Sequence, residues 1–188
     1  MTFLKCLSSI LAKLELRIAG ILVAIVTALI VINVFTRAAN MAIFWIDEAA
    51  IFIMGGAVFL GSAVLMQKRQ AVAVTLLKDF SSNKLKRLFE VAYDWSILMF
   101  SLSLLYFCWV WYRPDALIAV GFDIQEFSME TMNFIYQDTT NTLGIPKYLV
   151  WLIIPYFAFS CFIHSLANIL TTPRGNYANN EVQKESTR

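Results

Sequence analysis

Four long apolar runs are spaced along the chain. The first is Ile18 to Phe35, between Arg17 and Arg37, and the second is Ala49 to Met66, between Glu48 and Lys68. The third is Trp95 to Tyr112, between Asp94 and Arg113, and the fourth is Tyr148 to Leu170, charge-free unless His164 is protonated. At 1.5 Å per residue, eighteen residues of helix reach about 27 Å, close to a hydrocarbon core of about 30 Å. None of the runs alternates as a barrel strand does. A helix satisfies its own backbone in lipid. The pattern therefore predicts an all-α membrane protein with four transmembrane helices, at about 18–36, 49–67, 90–112 and 148–170. Residues 1–172 form one membrane domain, and the polar tail 173–188 is expected to be disordered.

The intervening segments predict smaller elements. In Met1–Arg17, Phe3, Leu4, Leu7, Ile10, Leu11 and Leu14 fall on one helical face, with Lys5, Lys13, Glu15 and Arg17 mostly off it. This reads as an interfacial amphipathic helix feeding the first span, not as a cleaved signal peptide. Val72, Leu76, Leu77 and Phe80 make a second short apolar face, broken at Ser81–Ser82. A further helix is expected from about Asn83 into the third span, with Lys84, Lys86 and Arg87 among anionic lipid headgroups. The loop over residues 113–147 is too long to be structureless, so a short helix is expected around Ile124–Tyr136.

Charge sets orientation. Lys and Arg number 3, 6 and 3 in the leading segment, the middle loop and the tail, against 1 and 2 in the other two loops. The positive-inside rule then places both termini and the middle loop in the cytoplasm. Composition agrees with a lipid solvent: 59% of residues are hydrophobic and 15% charged, against about 25% charged in soluble chains. A net charge of +2 without a basic stripe gives no reason to expect nucleic acid.

Catalytic chemistry is sparse, and a non-catalytic chain without catalytic, cofactor-binding or metal-binding residues is expected. One histidine rules out a bis-histidine haem site within the chain, and three cysteines form no CxxC pair. His164 reads as a satisfied residue near the inner end of span four or as a proton relay. Glu90 and Asp94, at i and i+4, read as structural partners, Glu90 within reach of Lys86, or as part of an ion path. Asp47 and Glu48 suit the outer N-terminus of span two, where Asp47 can cap the helix and Trp45 joins the interfacial belt. Arg37 lies across the hairpin from them and is expected to pair with Asp47 or Glu48. Gly55, Gly56, Ala57 and Gly61 offer a small-residue stripe for a partner helix. In the outer loop Asp123, Glu126, Glu130 and Asp138, mixed with aromatics, suit protein docking; the other reading is a solvated loop resting on the membrane interface.

Several of these segments resemble the small membrane subunit (DctQ-like) of tripartite ATP-independent periplasmic (TRAP) transporters: NVFTR at Asn33–Arg37, WIDE at Trp45–Glu48, FLGSA at Phe59–Ala63 with Lys68 and Arg69 following, and LGIPKYLVWLIIP at Leu143–Pro155. Where many members of that family carry a histidine after the basic pair, Ala71 stands here, and the outer loop is longer. The resemblance implies a multi-pass protein of the bacterial inner membrane. Its partners would be a large transport subunit, which holds the sodium sites, and a periplasmic protein that delivers a carboxylate such as a dicarboxylate or a sialic acid. This chain would scaffold the large subunit and help dock the delivery protein. The alternatives are a self-contained homodimeric carrier and an accessory subunit of an unrelated membrane complex.

Overall fold

A computed structural model describes residues 2–69 and 83–171, and among these every regular element is a helix. They are α1 (Thr2–Ala38), α2 (Trp45–Gln67), α3 (Asn83–Tyr112), α4 (Pro114–Ala119), α5 (Ile124–Thr131), α6 (Lys147–Trp151) and α7 (Ile153–Thr171). Four stretches are long and apolar enough to cross a membrane: Phe3–Ala38, Trp45–Gln67, Leu88–Ala119 and Lys147–Leu170. The expected four-span, all-helical architecture is present. The helix expected over 72–80, the Ser82 cap and the tail lie outside the described residues, as do the side chains of Lys84, Lys86 and Arg87.

Helix α7 packs against α1, α2 and α3, so it is the centre of the bundle. The reason is legible in its side chains. Ala158, Ser160, Cys161, Ser165 and Ala167 are all buried, and small residues let neighbouring backbones approach closely in lipid. The core joins Ala63 of α2, Ile97 of α3, and Phe157 and Cys161 of α7; the rings of Phe59 and Phe157 lie 5.2 Å apart. The outward faces of α1 and α3 keep large apolar side chains exposed, as lipid or a partner subunit requires.

Two expected boundaries are different. There is no separate interfacial helix before the first span: α1 runs unbroken for 37 residues. No proline or turn sequence interrupts the ladder between Arg17 and Ile18, so amphipathic start and apolar span form one rod of about 55 Å. The fourth span, conversely, is broken at Leu152. Pro155 has no N–H for the carbonyl of Trp151 and its ring crowds that carbonyl, which ends α6 and restarts the helix as α7.

The outer loop is folded. Arg113 (φ 41°) and Pro114 turn the chain from α3 into α4. The carboxylate of Asp123 caps α5, accepting the backbone N–H of Gln125 at 2.8 Å and of Glu126 at 3.1 Å. Helix α5 ends at Thr131, earlier than the expected Tyr136, where Met132 adopts a left-handed conformation. Phe127 is fully buried and stacks edge-on with Tyr136, which in turn meets Tyr112 and Tyr148. Burial, with the neighbouring Tyr148, pushes the Tyr136 phenol above its usual range. A turn at Gly144 (φ 67°) closes Thr139 against Pro146 and leads into α6.

Candidate functional site

Among the described residues, polar side chains on the long helices and at their ends gather in three places: the Arg37 end of the bundle, the Arg69 end, and one cluster between α1 and α7. The first two are called the outer and inner rims, after the orientation that the basic residues predict.

At the outer rim the α1–α2 hairpin is closed by charge. The guanidinium of Arg37 donates to Asp47 Oδ2 and, through Nε, to Asn33 Oδ1 at 3.3 Å; Asn33 Nδ2 donates to Asp47 Oδ1 at 2.5 Å. Of the two expected acidic partners for Arg37, it is Asp47 that pairs. The expected capping role is not taken: Phe44 is the N-cap and no side chain bonds there, because the Asp47 carboxylate is committed to α1. Both acids still stand in the first turn, where the helix dipole favours them. Trp45 is half-exposed at this rim.

Glu48 does something the sequence did not signal. One oxygen accepts the backbone N–H of Asn141 at 2.8 Å. The other accepts the N–H of Thr142 at 2.7 Å, the Thr142 hydroxyl at 2.5 Å and the N–H of Leu143 at 3.0 Å. A single carboxylate therefore holds the turn that precedes the last span. Three consecutive peptide N–H groups aimed at one carboxylate form an anion-binding nest, here filled from within the chain.

The inner rim is tied by Arg69. Its guanidinium donates to both oxygens of Asp94, with Nε to Oδ1 at 3.0 Å, lies 3.7 Å from Glu90, and donates to the carbonyl of Asn168 at 3.3 Å. Asn168 Nδ2 donates to the carbonyl of Gln67 at 3.1 Å. The Asp94 carboxylate is almost completely buried, which a bidentate arginine makes tolerable. The expected structural role of Glu90 and Asp94 is what the geometry carries, with Arg69 of α2 as the partner found here. Sequence spacing offered no clue to this pairing, since Arg69 lies 25 residues before Asp94.

The third cluster corrects the expected placement of Glu15. Glu15, assigned by periodicity to the polar side of an interfacial helix, is fully buried. It meets Tyr156, Ser160 and His164 of α7. His164 is satisfied from both ring nitrogens, by Glu15 and by Ser8. A usable signal existed: Tyr156, Ser160 and His164 recur every four residues and form one polar stripe on a largely apolar helix.

The small-residue stripe divides. Ala57 is buried, and a Cβ on Gly56 would meet Leu22 of α1 at 3.4 Å, so these two serve the hairpin. Gly55 and Gly61 face open space. Between α1 and α2 an apolar groove of about 270 Å3 is lined by Val23, Val26, Thr27, Met54, Ala57 and Val58. Of the four acidic residues of the outer loop expected to serve docking, two have local work. Asp123 caps α5, and Asp138 lies 3.9 Å from Lys147. Glu126 and Glu130 are exposed on α5, flanked by exposed Phe122, Met129 and Met132.

The outer-rim contacts join three segments, two of them neighbours in sequence and the third far along the chain: Asn33–Arg37, Trp45–Glu48 and the stretch opening at Leu143. Arg69, beside FLGSA, closes the opposite rim. Among the described residues no group of three or more His, Cys, Asp or Glu side chains is gathered as a metal ion would need. A family model described as "Tripartite ATP-independent periplasmic transporters, DctQ component" matches residues 26–175. No curated protein and no solved structure matches.

Proposed function

Because this chain belongs to the DctQ component family of tripartite ATP-independent periplasmic transporters, and so is a small membrane subunit of such a transporter, we propose that it is the fixed, non-catalytic scaffold of that machine. A tripartite transporter implies a large membrane subunit and a periplasmic binding protein as partners. In this reading the complex sits in the bacterial inner membrane, with both termini of this chain in the cytoplasm and anionic lipids around the basic middle loop. It takes up a carboxylate, a dicarboxylate or a sialic acid, driven by sodium. The sodium sites belong to the large subunit, and this chain binds no cofactor.

One observation carries the scaffold role. The segments that make the chain recognisable as a family member are spent on one another: Asn33 and Arg37 on Asp47, and Glu48 on the turn at Leu143. They hold a shape and leave no carboxylate waiting for a substrate. Among the described residues every buried side-chain nitrogen or oxygen has a partner. A stationary body with exposed apolar flanks is what a moving transport subunit needs to work against. The exposed Glu126 and Glu130 of α5, beside Phe122 and Met129, support a docking surface for the periplasmic protein, with acid to steer and apolar surface to bind.

The test is reconstitution. Vesicles carrying the large subunit with this chain, supplied with the binding protein and a sodium gradient, are expected to accumulate the carboxylate. Vesicles lacking this chain are expected to lose most uptake. Full uptake by the large subunit alone, or uptake by this chain alone, overturns the scaffold reading.

A further inference from the structure

Two residues of α1, Ser8 and Glu15, project onto a polar stripe of α7. Both lie before residue 26, where the family match begins, so the family assignment says nothing about them. Oε1 of Glu15 accepts the hydroxyl of Ser160 and that of Tyr156, the latter at 3.2 Å. Oε2 lies 3.1 Å from Nε2 of His164, and Nδ1 of His164 lies 2.8 Å from the Ser8 hydroxyl. Ser8 is 3% exposed, and Glu15, Ser160 and His164 are 0% exposed. Ser160 stands midway along Tyr148–Leu170 and His164 one turn nearer its inner end, and the buried side chains of the cluster are shielded by the bundle itself.

A net charge held there, away from water, is strongly disfavoured, so the proton count is constrained. Two arrangements keep the cluster neutral: a carboxylate facing an imidazolium, and a carboxylic acid facing a neutral imidazole. They interconvert by one step, in which the Nε2–H bond of His164 breaks as an O–H bond forms at Oε2 of Glu15. In both, Nδ1 keeps its hydrogen, which the Ser8 oxygen accepts. The two hydroxyls on Oε1 leave Oε2 free for this exchange.

We propose that Glu15 and His164 are a proton-binding site within the membrane domain, holding one proton between them, and that this proton locks α1 to α7. Adding a proton makes the cluster cationic and removing one makes it anionic. Either change puts an unbalanced charge between two helices whose contact is otherwise apolar, and loosens the contact. The other groups near the site do not supply the balance. From α7 they are the neutral Tyr156 and Cys161. From α1 they are Lys5, Lys13 and Arg17, all exposed. The charged residues of α2 and its C-terminal end are Asp47, Glu48, Lys68 and Arg69, at its two extremities. Asp47 is held by Arg37, Glu48 by the outer loop, and Arg69 by Asp94 and Glu90.

Spin labels at the exposed Cys6 and at Leu170→Cys, in the full chain in lipid nanodiscs, report the α1–α7 distance. Between about pH 3 and about pH 9.5, a range that brackets the free carboxyl and imidazole, the wild-type distance distribution is expected to be narrow near neutrality and to widen toward at least one extreme. Glu15→Gln/His164→Gln, which cannot change charge, is expected to keep one distribution throughout. A wild-type distribution that never changes, or a double variant that changes as the wild type does, overturns the proposal. A second measurement needs no variant. His164 is the single histidine of the chain, so 15N-histidine labelling reports it alone. Nδ1 is expected to carry a hydrogen at neutral pH, and a bare Nδ1 overturns the neutral, one-proton pair.

Discussion

Asp94→Ala tests the inner rim most sharply. The Asp94 side chain is 2% exposed and that of Arg69 is 20% exposed, so the pair is mostly shielded from water. At an effective dielectric of about 20, two unit charges about 4 Å apart attract by about 4 kcal/mol. Removing one member of a buried pair costs about 3–5 kcal/mol, chiefly because the other charge is stranded. Here Arg69 keeps Glu90 at 3.7 Å, the Asn168 carbonyl at 3.3 Å and some solvent. The expected loss for Asp94→Ala is therefore about 2–3 kcal/mol. For a chain of this size that is a fall of about 4–12 °C in Tm, read by tryptophan fluorescence on the full chain in one detergent. Arg69→Met alone is expected to cost a similar amount, because it strands Asp94. The double variant Arg69→Met/Asp94→Ala is expected to cost clearly less than the two singles added together, since neither member of the close Arg69–Asp94 pair is left facing a missing partner. Additive losses, or an Asp94→Ala variant as stable as the wild type, would refute the pairing as the tie between α2 and α3.

Other outcomes follow from the remaining ties. Glu48→Gln is expected to speed amide hydrogen exchange at Asn141, Thr142 and Leu143 together, whereas Thr142→Val, which loses one hydroxyl contact, is expected to leave the backbone amides largely protected. Reversing the hairpin pair with Arg37→Asp/Asp47→Arg is expected to assemble better than either single reversal. Because the two side chains are 57% and 47% exposed, the gain stays below about 1 kcal/mol, and equal assembly of all three variants counts against the staple. Phe127→Ala empties the only fully buried aromatic position of the described outer loop and is expected to cost about 3–5 kcal/mol of local stability, seen as faster proteolysis between Pro114 and Lys147 with the spans intact.

What the sequence made legible, and what it hid, divides along physical lines. The spans were legible because lipid demands long charge-free runs, and the Arg37–Asp47 contact because only nine residues intervene. The work of Glu48 was hidden: its partners lie 93 to 95 residues away and are backbone amides, which every residue carries. Asp94 looked like a structural acid, but nothing local named Arg69. Glu15 was misplaced for an instructive reason. A periodicity test sorts residues into apolar and polar faces and assigns the polar face to water. In a bundle it can instead face a matching polar stripe on another helix, and Ser160 and His164 were that stripe. The break at Leu152 was available in Pro155, yet the apolar run over it was continuous.

Helix α2 is fastened at its two extremities to different neighbours: Asp47 to α1, Glu48 to the turn before the last span, Arg69 to α3 and α7. To slip along its axis by even one helical turn, about 5.4 Å, it would have to surrender the contacts at top and bottom at once. Vertical displacement is thereby denied to this helix, and any force applied to its middle is passed to the whole bundle.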